Sequence, residues 1–222
     1  MKILLLPIVV ISLLLIQSCT SSRVVRPLKK GEQQISANLG GPLLGFAGMT
    51  IPMPLTSIAY ARGITNDLTG FMGVHTTSML FGVIQTDIGA CYNVYHPDSS
   101  QFGVSVSPAL NIAYDKWEKN SKLWPSVDIN AYWEFTPNKS FIYTGVSNWF
   151  EFAKERAHGE KQEHKWLINP HLGYTYVRNK WNYNIETKWL VPNIGTKPNV
   201  VDYRGVGGKG AIGLYFTFTR KF

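Results

Sequence analysis

The chain predicts an all-β fold, a transmembrane antiparallel up-and-down β-barrel of about ten strands, with eight or twelve as the alternatives. Three observations carry this. Apolar and polar residues alternate with a period of two along one segment after another. After the N-terminal apolar run, no stretch approaches the roughly 20 apolar residues that a membrane helix needs. The breaks between segments are short and long by turns, as in a barrel with compact turns at one mouth and longer loops at the other. A water-soluble sandwich or ligand-binding barrel also alternates, but it puts aliphatic residues inside and charges outside. Here the polar face is built of Asn, Asp, Glu, Ser and Gly, and the apolar face carries Trp and Tyr, as expected where hydrocarbon is the outer solvent.

Candidate strands fall at 32–41, 54–64, 68–77, 81–94, 102–115, 126–136, 139–152, 164–178, 181–191 and 209–222. Gly40-Gly41-Pro42 reads as the end of the first. Ile51-Pro52-Met53-Pro54 reads as extended chain leading into the second, able to fold over the barrel mouth, because proline is excluded from paired central positions. In the fifth, Val104, Val106, Leu110, Ile112 and Tyr114 oppose Gly103, Ser105, Ser107, Asn111 and Asp115. The sixth sets Val127, Ile129, Ala131, Trp133 and Phe135 against Ser126, Asp128, Asn130, Tyr132 and Glu134. The seventh leaves its facing open, since Tyr143 and Trp149 share one side and Ile142, Val146 and Phe150 the other.

Aromatic spacing fits a bilayer. Trp181 and Trp189 share one face of the ninth segment, and at about 3.3 Å per residue and a tilt near 40° they stand roughly 20 Å apart in height. Trp166 and Tyr174 repeat the spacing on the eighth, and Trp133 and Phe222 complete the expected interfacial aromatics. The opposite register places Asp87, Asp128, Asn130, Glu134, Asn169, His171, Asn182, Asn184, Glu186 and Lys188 in the lumen, as a hydrogen-bonded filling. His75 is expected to join that network, and Cys91 to face inward with Asp87, Gly89 and Asn93.

In the last segment Ile212, Leu214, Phe216, Phe218 and Phe222 share one face, with Ala211, Gly213, Tyr215, Thr217 and Thr219 on the other. This alternation, running up to a chain-terminal Phe, resembles the C-terminal signal of bacterial outer-membrane β-barrel proteins. The resemblance covers one strand and implies the outer membrane of a Gram-negative cell. Compact turns at Thr65-Asn66-Asp67, residues 96–100, Pro137-Asn138-Lys139 and Asn179-Lys180 would then face the periplasm. Connections through 41–53, 116–125, 153–163 and 192–208 would face outward, with a single short one near Thr77-Ser78-Met79.

The front end supplies a second address. Met1-Lys2 precedes an apolar run from Ile3 to Ile16, too short to span a bilayer and typical of a secretory signal. The run meets Ile16-Gln17-Ser18-Cys19, which resembles a bacterial lipobox, and the resemblance implies that Cys19 is lipidated and N-terminal in the mature chain. The expected organisation is a signal peptide over 1–18, a lipid-anchored tether over 19–31 and a barrel over 32–222. With ten strands both barrel termini lie on the periplasmic side, where an acyl chain enters the inner leaflet.

The formal charge of +8 does not point to nucleic acid, because Lys and Arg sit in turns and loops rather than on one interleaved surface. Lys116, Lys119, Lys122, Lys154, Arg156 and Lys161 could instead meet outer-membrane lipid, including lipopolysaccharide head groups. No Cys/His or HExxH spacing indicates a metal, no cofactor motif is present, and the Gly205–Lys209 run lacks the spacing of a phosphate loop. Ser147, His171 and Glu186 can be arranged on paper as serine, base and orienter, but spacing alone cannot bring them into reach. The expectation is therefore a non-enzymatic accessory, binding or envelope-organising barrel, with an outer-membrane protein as a possible partner. A narrow channel or solute-binding pore, and a hydrolase of envelope lipid or peptide, stand as alternatives.

Overall fold

The computed structural model describes residues 20–222 apart from 98–99, 137–138, 155–160 and 197–200. In chain order the elements are β1 (Gln33–Phe46), β2 (Met49–Pro52), β3 (Thr56–Gly63), β4 (Leu68–Val74), the short helix α1 (Thr76–Leu80), β5 (Val83–Tyr95), β6 (Phe102–Asp115), β7 (Asn120–Glu134), β8 (Phe141–Phe150), β9 (Trp166–Arg178), β10 (Trp181–Gly195) and β11 (Lys209–Lys221). From β3 to β11 each strand pairs antiparallel with the next, and β1 pairs with both β3 and β11. The register of β1 on β11 runs from Gln34↔Lys221 to Pro42↔Gly213, which closes the sheet. β2 and β3 pair with the upper and lower halves of β1, so they occupy one position in the wall and the barrel has ten strands. Closure through β1 and β11 leaves the ten-position wall without a free edge, and in hydrocarbon an unpaired backbone group would cost several kcal/mol.

Three expected loops are shorter than the sequence suggests. β1 continues beyond Gly40-Gly41-Pro42 to Phe46, because Gly40 takes φ +138 and bends the strand instead of ending it. Its upper half then forms a hairpin with β2 and is flanked on the other side by residues 202–204, through Gly45 N to Asp202 O at 2.9 Å and Arg204 N to Leu43 O at 2.8 Å. Ile51-Pro52 thus belongs to a strand and Met53 is buried. β7 begins at Asn120 rather than near 126, since Lys119 at φ +53 makes a tight turn that lets Asn120 pair with Asp115. β10 likewise extends to Gly195. The connection near Thr77-Ser78-Met79 is the single turn of α1.

Both barrel termini and the compact turns lie at one end, called here the turn end, and the longer connections lie at the loop end. Side chains divide by register. Ile35, Ile58, Met72, Ile88, Ile112, Ile129, Ile142, Leu172, Ile185 and Phe218 are exposed on the outer surface, one or more on each strand position. An apolar belt encircling a whole molecule has no place in water and requires lipid around it. β8 settles its open facing with Tyr143 and Trp149 buried inward and Ile142 exposed outward.

Candidate functional site in the barrel lumen

The inward register is polar. Ser36, Asn38, Ser57, Thr69, Gln85, Ser105, Ser107 and Thr217 are all buried, together with several of the expected lumen residues. The expected set is placed as follows. Asn130, Asn169, His171, Glu134, Asp87, Glu186 and Lys188 are buried in the lumen, while Asp128 lines its central cavity. Asn184 donates to Tyr143 Oη at 3.0 Å and Thr175 Oγ1 at 2.9 Å, and Asn182 is half-buried in the same register. Of the expected interfacial aromatics, Trp133, Trp166, Tyr174, Trp181 and Phe222 are exposed on the outside, and Trp189 is half-buried, its Nε1 donating to Lys209 O at 3.2 Å.

What fills the lumen is the chain's own N-terminal segment. Residues 20–28, expected as part of a lipid-anchored tether over 19–31, run inside the barrel, and Lys29, Lys30 and Gly31 are exposed at its turn end. Gly31, at φ +84, reverses the chain into β1, with its N–H donating to Gly63 O at 2.9 Å. From that turn the segment rises toward the middle of the lumen, and its backbone groups find partners on the wall. Leu28 N donates to Thr69 Oγ1 at 2.7 Å, Ser105 Oγ donates to Val25 O at 2.5 Å, Ser107 Oγ donates to Val24 O at 3.2 Å and Ser22 N donates to Glu186 Oε1 at 3.1 Å. Ser21 Oγ reaches Asn38 Oδ1 and Thr217 Oγ1. These bonds answer the requirement that buried main-chain groups be paired.

Two arginines tie the segment electrostatically. Arg23 meets Asp87 through Nε to Oδ1 at 3.0 Å and Nη2 to Oδ2 at 2.5 Å, a bidentate pair with both side chains almost wholly buried, and its Nη1 donates to Ser57 Oγ at 2.7 Å. His75, on the connection between β4 and α1, places Nε2 3.0 Å from Asp87 Oδ2 and 3.3 Å from Arg23 Nη2. Burial pushes the His75 imidazole down from its ordinary value, against the opposing pull of its hydrogen bond to Asp87. Lower in the lumen Arg26 donates to Glu134 Oε1 at 2.6 Å and Lys139 O at 3.1 Å, and its guanidinium lies 4.9 Å from the Phe141 ring centre. Lys139, on the turn below, also approaches Glu134 at 3.5 Å.

Apolar contacts complete the fit. Val24 and Leu28 pack with Ala61, Phe71 and the unpaired Cys91, while Val25 packs with Tyr132, Phe141, Tyr143 and Val177. A Cβ at Gly63 would run into the Lys29 carbonyl, so the wall is narrow-sided where the segment passes. Beyond Thr20 a cavity of about 60 Å³ continues toward the loop end, bordered by Arg23, Asp87, Asp128, Lys188 and the stacked pair Trp124 and Trp149, whose ring centres are 5.3 Å apart. Lys122, expected to face lipid head groups, is turned inward instead, bonded to Glu151 at 2.6 Å and lying over the Trp124 ring, because β7 starts early enough to put it in the inward register.

The paper triad does not assemble. His171 Nε2 is 2.6 Å from Asn130 Oδ1, Glu186 is engaged by Ser22 N, Tyr143 Oη at 2.7 Å and Lys188 Nζ at 3.5 Å, and Ser147 borders the cavity. No hydrogen bond among the described residues joins Ser147 to His171. No group of three or more His, Cys, Asp or Glu side chains among the described residues could hold a metal ion. Arg23 and Arg26 were missed as lumen residues. The signal available was an arginine pair flanking Val24-Val25 ahead of a lumen rich in carboxylates.

A closed antiparallel barrel, apolar outside and polar inside, defines a transmembrane β-barrel of the outer-membrane class. The fold is similar to that of solved outer-membrane proteins. The COG4313 outer membrane channel from Pseudomonas putida F1 matches with a TM-score of 0.51 at 8% identity, over 91% of this chain and 99% of that one. OprG from Pseudomonas aeruginosa matches at 0.33 and 10% identity over 90% and 99%, and Ail of Yersinia pestis at 0.28 and 9% identity over 87% and 99%. At 8% identity the first likeness speaks to the fold alone, and the other two, with TM-scores below 0.5, carry no argument. No family model matches the sequence, and no curated protein matches it.

Proposed function

We propose that this chain is a small outer-membrane barrel, closed at rest by its own N-terminal segment, with a non-enzymatic accessory, binding or envelope-organising role. The occupied lumen is the observation that carries the reading. A path blocked by main chain, a buried Arg23–Asp87 pair and a partly buried Arg26–Glu134 pair does not serve bulk diffusion. The loop end is then the contact surface, with Lys116, Lys119, Lys154 and Lys161 exposed toward phosphorylated lipid head groups and Trp117 standing out beside them. An outer-membrane protein partner belongs to the same reading.

Lipidation of Cys19 is a further part of it, with a geometric consequence. Thr20 borders the central cavity, so an acyl chain on the preceding residue reaches the periplasmic leaflet only if residues 20–31 are drawn out of the lumen. Anchor and seal are alternative states of one segment. Intact-mass measurement of the membrane-extracted protein tests the modification: a mature chain starting at Cys19 with added acyl mass supports it, and an unmodified chain removes it. The closed reading is tested in planar bilayers. The purified chain with residues 20–31 intact and unacylated is expected to give no discrete conductance steps, and steady opening would overturn the reading.

A further inference from the structure

Resting on the closed reading, we propose that the barrel is a conduit for small cations and that residues 20–31 are its removable seal. The wall's fixed charge is the first ground. Among the described residues between its two rims, the lumen wall presents Asp87, Asp128, Glu134 and Glu186 against Lys188, four carboxylates to one ammonium, or −4 + 1 = −3. Arg23 and Arg26 bring this to −3 + 2 = −1. The segment thus neutralises most of a field that would otherwise draw cations into the bore and repel anions. The rims themselves are balanced or basic: Lys122 pairs with Glu151 at the loop end, and at the turn end Lys139 hangs over Glu134 while Lys221 shares the inward register of Thr217 and Thr219.

The manner of attachment is the second ground. No residue from 20 to 31 belongs to a strand, whereas each wall strand is held by a continuous ladder. Apart from the hinge bond of Gly31 N–H to Gly63 O, the segment is held to side chains of the wall, so it can leave without breaking the barrel. Its departure vacates the width of a polypeptide with its side chains along most of the lumen, and the polar groups it satisfied become available to water. The wall is also cut to receive it: a Cβ at Gly73 would meet both Arg23 and Asp87, and one at Gly63 the Lys29 carbonyl.

Cys91 supplies a reporter already present in the chain. It is fully buried, faces the lumen, and packs beneath Val24 and Leu28. A membrane-impermeant maleimide therefore reaches it only when the segment has left.

The test uses the unacylated chain from residue 20, which leaves Cys91 as its one cysteine, with heat-modifiable electrophoretic mobility as the check on barrel folding. In R23E/R26E the arginines become repellent to Asp87 and Glu134 while the wall is untouched. Expected are discrete steps in planar bilayers, a K⁺ to Cl⁻ permeability ratio of roughly ten, the low end of field focusing in a charged cleft, and labelling of Cys91. Adding Asp87→Asn, Asp128→Asn and Glu186→Gln brings the ratio toward unity. Should the reversed arginines prevent folding, Gly63→Val keeps every charge and displaces the segment at its turn, with the same readouts expected. A folded, Cys91-labelled variant that stays electrically silent, or one that conducts without preferring K⁺, overturns the conduit. A folded variant whose Cys91 stays unlabelled overturns the removable seal. Conduction and labelling in the unaltered chain would instead overturn the closed reading, so the two failures are distinguishable.

Discussion

Arg23 and Asp87 form the tightest electrostatic contact in the lumen, and each depends on the other because neither has bulk water to fall back on. Removing one partner leaves the other buried and uncompensated, a loss of about 3 kcal/mol. Arg23→Ala is thus expected to loosen the N-terminal segment, and hydrogen exchange at the Ser22 and Leu28 amides, now bonded to Glu186 and Thr69, checks it by faster exchange with unchanged protection in the strands. His75 adds a pH dependence. A base held below its ordinary value binds fewer protons folded than unfolded, so its contribution to stability is present above pH about 6.5 and is lost as the pH falls below that. A proton on His75 also sets a second positive group beside Arg23, 3.3 Å from its Nη2. Thermal unfolding followed by electrophoretic mobility is expected to drop in midpoint between pH 7.5 and pH 5, and His75→Gln to drop less.

At the scale of elements, the ends of strands were harder to read than their middles. The alternation in Asp128, Asn130, Tyr132 and Glu134 against Ile129, Ala131 and Trp133 was legible because each residue has one neighbour type on each face. The start of β7 was not legible, since Ser121, Lys122 and Leu123 carry no clean period and gain their strand conformation by pairing with β6. β8 was ambiguous for a related reason: it buries Tyr143 and Trp149 against the lumen contents, so both faces are rich in large residues. Gly40 is the point where β1 passes from barrel wall to hairpin, and its positive φ is set against the backbone of β11. Gly40→Ala is expected to cost about 1–3 kcal/mol through backbone strain, plus the clash with Leu214 O. The check is a lower denaturant midpoint for the folded, heat-modifiable band.

Over the whole molecule, stability depends on which solvent lies outside. The belt that includes Ile88, Ile129, Ile142 and Ile185 leaves these side chains between two-fifths and three-fifths exposed, which favours the folded state only against hydrocarbon. Ile129→Arg is therefore expected to reduce folding free energy in lipid vesicles by about 2–4 kcal/mol if it lies at mid-depth, measured by reversible denaturant titration. The sequence alone determined the class of fold, the middles of the wall strands and, for every one of them but β8, which face meets lipid and which the lumen, because a period of two is a local property that each strand states for itself. Only the tertiary structure decided what occupies the lumen. Residues 20–31 have no period to read, and their place follows from partners distant in the chain, Arg23 from Asp87 by 64 positions and Arg26 from Glu134 by 108, brought together once the sheet closes on itself.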